Sequence, residues 1–239
     1  MRKRTLIALL SVLATCDAAA QTEAEEVLGW DGEVEFGFIS TSGNAATSST
    51  NAKLKTTLEQ VNWRQNFDAQ YLNASDDNGT TAERFVAEGS SHYKLNREGY
   101  LIVLNVRYVK DRFAGLDYRL SESVGYGHRF RWERARLDAE IGVGGRQTKF
   151  VDGSREAEAI LRLAGRYALP FSETAEFRQE LFTEIGETTT HSESETALRL
   201  QVNSHLATKL SYKIIHESDA LAGTGSTDTI GAVTLIYGF

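Results

Sequence analysis

The chain has 239 residues, 26 basic and 33 acidic side chains, a formal charge of −7 and an apolar fraction of 41%. An acidic balance with no Lys/Arg run after residue 4 argues against a phosphate-reading surface and so against nucleic acid as a partner. The single cysteine, Cys16, falls in the leader described next, leaving the rest of the chain without a thiol for a disulfide or a metal site.

Met1 to Arg4 is a charged start, Leu6 to Ala14 an apolar core, and Ala18-Ala19-Ala20 a small-residue cleavage motif before Gln21. Residues 1–20 therefore read as a signal peptide that is removed after export. Arg2, Lys3, Arg4 and Asp17 leave with it, so 23 basic side chains remain against 32 acidic ones, a net charge of −9. A competing reading acylates Cys16, but the residue before a lipidated cysteine is usually Gly, Ala or Ser, and Thr15 is none of these. A retained anchor is disfavoured because a spanning helix needs about twenty apolar residues. Residues 21–29, with Glu23, Glu25 and Glu26, read as a flexible N-terminal tail, and 30–239 as one domain.

From residue 33 onward the apolar residues recur at every second position, the period of a strand with two unlike faces. Trp63, Phe67, Ala69 and Tyr71 alternate with Arg64, Asn66, Asp68 and Gln70. Tyr100, Ile102, Leu104, Val106 and Tyr108 form one stripe opposite Asn105 and Arg107, although Leu101 and Val103 begin that second face apolar. Ala135 to Val143 alternates with Arg136, Asp138 and Glu140; Ala157 to Leu163 alternates with Glu156, Glu158 and Arg162, with Ile160 intruding; Leu206 to Ile214 alternates with Lys209, Ser211 and Lys213. The pattern predicts twelve strands near 33–41, 47–59, 62–74, 82–95, 99–111, 117–131, 135–149, 155–169, 174–187, 192–203, 206–217 and 227–239. Asn78-Gly79, Asp152-Gly153, Glu98-Gly99 and Pro170 punctuate them.

No apolar run after the leader exceeds Tyr100 to Leu104, so a membrane form must be a closed barrel. A soluble sandwich would turn the same apolar stripes inward. Strand length favours the barrel, since soluble strands average ~5–6 residues and a tilted spanning strand needs ~9–11. Trp63, Tyr93, Tyr100, Trp132, Tyr167, Tyr237 and Phe239 fall at one end of the meander, and Phe38, Tyr71, Tyr108 and Tyr118 toward the other, as interfacial girdles require. With the amino end in the periplasm, the turns Gln60-Val61, Asn96 to Glu98 and Pro170 to Glu173 are short, and the segments Ser75 to Thr81, Glu187 to His191 and Ser218 to Ser226 are longer. The expected fold is thus an all-β transmembrane antiparallel up-and-down barrel of about 12 strands in the bacterial outer membrane.

The sequence also resembles a known family, the bacterial outer-membrane proteins grouped as domain of unknown function 481 (DUF481) and often labelled salt-induced outer-membrane proteins. The resemblance spans essentially the whole mature chain. It rests on Gly29-Trp30-Asp31-Gly32, Gly37 and Gly43-Asn44; on Asp111 through Arg119 with Gly125-Tyr126-Gly127; and on the closing Leu235-Ile-Tyr-Gly-Phe239. The ending, with Val233, Leu235, Tyr237 and Phe239 alternating, is also similar to the general signal read by the barrel-assembly machinery. The resemblance implies an outer-membrane barrel and no reaction. Outer-membrane lipid and lipopolysaccharide are the expected surroundings, the assembly machinery the expected partner through the Phe239 strand, and a monomer the expected state.

The polar face mixes signs: Arg64, Asp68, Arg84, Glu88, Lys94, Arg136, Asp138, Glu140, Arg146, Glu156, Glu158, Arg162, Arg166, Glu176, Arg178, Glu180, Glu184, Glu193, Glu195, Arg199, Lys209, Lys213 and Glu217. Opposite charges there can pair and narrow the lumen, whereas one sign would suit an ion-selective pore. Asp111, Arg112, Asp117 and Arg119, around Gly115, read as two ion pairs bracing a hairpin, with a binding rim as the alternative. A membrane-embedded hydrolase would need Ser, His and a carboxylate together. His92 follows Ser90-Ser91 but faces the lumen, His191 sits by Ser192, Glu193 and Glu195 in an expected loop, His216-Glu217 lacks a second zinc histidine, and His128 and His205 complete the set. Asp76-Asp77-Asn78 lacks the spacing of a calcium loop. No catalytic, cofactor or metal residue is assigned. The expected role is a narrow passive channel or an envelope-stabilising barrel, with the hydrolase as the alternative.

Overall fold

The computed structural model describes residues 29–41, 47–76, 79–111, 114–219 and 225–239. The leader with Cys16, most of the acidic tail, Gly43-Asn44, Asp77-Asn78 and Arg112 lie outside the described residues. Twelve strands follow one another: β1 Gly29–Thr41, β2 Thr47–Glu59, β3 Trp63–Asp76, β4 Gly79–Lys94, β5 Gly99–Asp111, β6 Leu116–Arg131, β7 Arg136–Phe150, β8 Arg155–Pro170, β9 Ala175–Ile185, β10 Thr190–Gln201, β11 Leu206–Glu217 and β12 Thr227–Gly238. Each pairs antiparallel with its sequence neighbour, and β1 meets β12 to close a barrel. Closure leaves no free sheet edge at those pairs, which is how strands satisfy their backbone polar groups in hydrocarbon.

The alternation is realised as apolar outside and charged inside. Leu210 is 58% exposed on the outer wall while Arg162 is 2% exposed in the lumen. Ring pairs mark both rims. Trp63 meets Tyr93 edge-on at 5.2 Å, Phe130 stacks near Trp132, and Tyr167 lies by Phe177 at the end that carries both termini; Tyr108 stacks on Tyr118 at 6.3 Å and touches Phe85 at the far end. Such belts place rings at the membrane interfaces.

Several expectations need correction. Tyr100 and Ile102 do not face lipid. The register slips by one residue between Ile102 and Asn105, so Val103 and Leu104 are both exposed while Tyr100 and Ile102 turn inward, 7% and 2% exposed. A bulge of this kind exchanges the faces of everything on one side of it. Ile160, the apolar residue on the polar face of its strand, packs inside the lumen as its position requires. The contrast between short and long connections shrinks, because β3 runs to Asp76, β4 begins at Gly79 and β10 begins at Thr190; only the stretch between β11 and β12 is clearly longer. The turn after β4 is made by Asn96, whose Oδ1 accepts the Glu98 and Gly99 amides. Gly79, Gly115 and Gly153 take positive φ at far-end turns.

Two features set the shape of the interior. Gly125, Gly127, Gly142 and Gly144 form an inward strip on β6 and β7; a Cβ on Gly144 would stand 1.9 Å from the Glu122 carbonyl, and the Tyr100 ring lies over Gly127. The second is the seam. β1 pairs with β2 along thirteen residues from Gly29 to Thr41 but with β12 only from Glu33↔Gly238 to Phe36↔Leu235, supplemented by mutual backbone bonds of 3.0 and 2.9 Å between Gly32 and Phe239.

Candidate functional site

The lumen is divided by height. Toward the far end, Glu193 of β10 collects Arg84 of β4 (2.5 Å), Arg107 of β5 (2.6 Å), Lys213 of β11 (2.8 Å) and His191 Nε2 (2.9 Å). His191 Nδ1 lies 2.6 Å from Glu217, which also holds Arg119 at 2.5 Å. Beside them Arg146, 1% exposed, binds Glu158 at 2.6 Å and the Thr189 carbonyl, and Glu184 accepts the Ser121 hydroxyl. Phe182 supplies a ring to this layer, with Arg107 4.6 Å and Arg162 5.5 Å from its centroid. Buried charges of both signs in such contact are mutually obligatory, because each alone would carry a desolvation cost of several kcal/mol. The arrangement is a plug built from the walls themselves.

Below the plug a cavity of about 880 Å³ opens at the terminal end. Its roof includes Glu193, Arg107 and Phe182, and its mouth includes Arg64, Arg129, Arg136, Arg178 and Arg199. Above the plug a space of about 40 Å³ is lined by Arg84, Arg119, His191 and Glu217. Among the described residues no side chain lines both spaces. The Glu193 layer stands between the two spaces. In the vestibule wall Arg162 and Arg166 each reach Glu140 at 2.8 Å, the Tyr100 hydroxyl donates to the same carboxylate at 2.9 Å, and His92 stacks on Tyr100 at 4.9 Å. Nearer the mouth Arg64 and Lys94 share Glu59, Arg129 grips Asp138, and Arg199 pairs with Glu33.

The charged residues expected on the polar face do lie on inward positions, with Arg84, Glu88, Arg146, Arg162, Glu184, Glu193, Lys213 and Glu217 brought into the plug or just beneath it. Pairing is not confined to neighbouring strands: Arg84–Glu193, Arg119–Glu217 and Lys55–Glu180 reach across the barrel. Around Gly115 the pairing reaches beyond the expected Asp-Arg pairs, and Arg112 lies outside the described residues. Asp111 faces Arg84 and caps the Ala114 amide, Asp117 pairs with Lys149 at 2.5 Å, and Arg119 points down to Glu217. His191 lies in a strand and is a plug member, not a loop residue. His216, outside, lies 2.9 Å from the Thr227 hydroxyl, and His128 sits among the rim aromatics. Residues that sequence reasoning passed over are Glu33, Glu35, Lys53, Lys55, Arg107, Arg129, Tyr100 and Phe182. For the first six, the alternation extended through β1, β2, β5 and β6 carries the signal, and Phe182 shares the inward parity of Glu180 and Glu184; for Tyr100 nothing local separates a lumen ring from a lipid one.

The closed, ion-lined, twelve-stranded wall with aromatic rims is the architecture of an outer-membrane porin-type barrel. The chain belongs to the family described as protein of unknown function, DUF481, matched over residues 34–239. It is 27% identical over 198 residues to the uncharacterized protein YdiY of Escherichia coli (strain K12), covering 80% of this chain and 75% of the relative. In fold it is similar to the NanC porin, with a TM-score of 0.52, 10% identity and coverage of 88% of this chain and 98% of that one. It is also similar to the COG4313 outer membrane channel from Pseudomonas putida F1, with a TM-score of 0.51, 9% identity and coverage of 92% and 100%.

Proposed function

We propose that this protein is a narrow, weakly selective passage for water and small ions across the outer membrane, held nearly shut by its own ion pairs. The observation that carries the reading is the plug, which separates the 880 Å³ vestibule from the 40 Å³ space above it. Buried atoms along the plug, among them Arg107 Nη1, Arg162 Nε and Glu217 Oε2, have no hydrogen-bond partner and suit transient solvation by a passing ion or water. Both signs line the path, which supports weak selectivity. The two solved barrels of similar fold are described as a porin and a channel, in keeping with passage.

The role is non-enzymatic. Both ring nitrogens of His191 are engaged by carboxylates, Glu217 and Glu193, and the neighbouring Ser192 hydroxyl bonds Thr183, so this histidine has no free nitrogen to activate a serine. Residues 1–20 serve as a cleaved export signal, and the barrel works as a monomer in lipopolysaccharide after insertion through its Phe239 strand. Planar-bilayer recording of the full mature protein tests the central reading: small, weakly selective steps are expected, and a large or strongly anion- or cation-selective conductance refutes it. Complete electrical silence across voltages would favour a purely envelope-stabilising barrel.

A further inference from the structure

The vestibule mouth holds a group of arginines that the plug does not use. The register sets Arg136 of β7 and Arg178 of β9 on either side of Ala168 of β8, in one row across three strands. Arg166, two residues from Ala168, faces the same way. Neighbouring strands are ~4.8 Å apart, so the two arginine backbones flank the Ala168 methyl at about 10 Å from each other. These side chains are wet, 56% exposed for Arg136, 44% for Arg166 and 32% for Arg178, against 1% for Arg146 in the plug.

The carboxylates at hand do not match them in number. Asp138 takes two bonds from Arg129, at 2.5 and 2.9 Å, and stands 3.9 Å from Arg136. Glu140 serves Arg162 and Arg166 together, and Glu176 serves Arg178. Arg162 also reaches Glu88 at 3.3 Å, so five guanidinium groups lean on four carboxylates, while Glu180 beside them faces Lys55. Arg129 and Arg178 both lie near enough to Arg136 to repel its charge, against the attraction of Asp138 and Glu176. An anion entering the gap relieves that repulsion and accepts paired N–H bonds in the geometry guanidinium favours.

We propose that Arg136, Arg166 and Arg178, arched over Ala168, form an oxyanion-binding site entered from the terminal mouth, for a small ligand bearing two or more carboxylate or phosphate groups. Several guanidinium groups of one sign favour a multivalent anion over a monovalent one. The cavity volume falls within the ~300–1,000 Å³ of ordinary small-ligand sites. Because the site is water-exposed, its affinity falls with added salt. The inference does not rest on conduction, since a blind vestibule binds as well as an open one.

Calorimetric titration of the refolded full-length protein with citrate, and separately with inorganic phosphate, at low ionic strength tests this. Saturable one-to-one binding of citrate is expected, weakened about tenfold or more by the double substitution Arg136→Gln/Arg178→Gln. Ala168→Glu, which places a carboxylate in the gap, is expected to weaken it similarly, and Arg64→Gln elsewhere on the mouth to leave it within about twofold. If the double variant fails to refold, Arg136→Gln alone decides, because its side chain is the most exposed of the three. Absence of saturable binding, or unchanged affinity in variants that keep the heat-modifiable gel mobility of a folded barrel, overturns the proposal.

Discussion

The two halves of the lumen use the same residue types to opposite ends. In the plug the charges are nearly dry and several are tied to partners from distant strands, so Glu193 alone joins β4, β5, β10 and β11. At the vestibule mouth the charges are wet and pair mostly with close neighbours, as Arg129 does with Asp138 and Arg64 with Glu59. A charge is indispensable where water cannot replace its partner, and adjustable where water can.

The sharpest way to break this contrast is to remove the hub. Glu193→Gln leaves Arg84, Arg107 and Lys213 facing one another without their common carboxylate. A loss of about 3–5 kcal/mol in urea unfolding followed by tryptophan fluorescence is expected, together with larger conductance steps. A variant as stable and as closed as the parent would show that the plug does not depend on that carboxylate. Gly144→Val presses a side chain into the backbone of β6, where even a Cβ has no room. It is expected to cost about 1–3 kcal/mol or to block folding, read as loss of heat-modifiable gel mobility. Phe182→Ala takes the ring from under Arg107 and Arg162, with an expected loss of about 2 kcal/mol and a wider path in bilayer recording. Arg64→Gln in the vestibule should change stability by about 1 kcal/mol or less, because its partner Glu59 stays hydrated and keeps Lys94.

The smallest effect concerns the turn after β7. The Ser154 hydroxyl and amide donate to Asp152 at 2.6 and 2.8 Å and hold its carboxyl below the usual range. A depressed carboxyl contributes order above its unfolded pKa and loses it as pH falls through the folded value. The Ser154 amide resonance should therefore shift only in strongly acidic buffer; a shift near neutrality would contradict the bond.

The strand count and the inward or outward fate of most residues were legible in the sequence because lipid and lumen impose opposite chemistry at alternate positions. Glu156, Glu158 and Arg162 are inward for that reason alone. What escaped had no such contrast. Tyr100 to Leu104 is apolar at every position, so a one-residue slip within it leaves no trace in the pattern, and the Tyr100 partner Glu140 is forty residues away. Phe182 falls on the inward face with Glu180 and Glu184, but nothing local tells that it meets Arg107 and Arg162. Arg119, next to Asp117 in a hairpin, invites a local pairing, and only the assembled barrel brings Glu217 to it. Partners 98 to 109 residues apart, such as Arg119–Glu217 and Arg84–Glu193, require every intervening strand to be in register first.

The short ladder between the first and last strands makes the wall uneven around its circumference. Every other joint is fastened along ten or more rungs, but this one is fastened by four and a terminal clasp at Gly32 and Phe239. Under tension or heat the cylinder should therefore part along this line, from the far rim downward, like a hoop with a single buckle. A disulfide between Phe38→Cys and Val233→Cys, just beyond the last rung, would rivet it and delay that rupture.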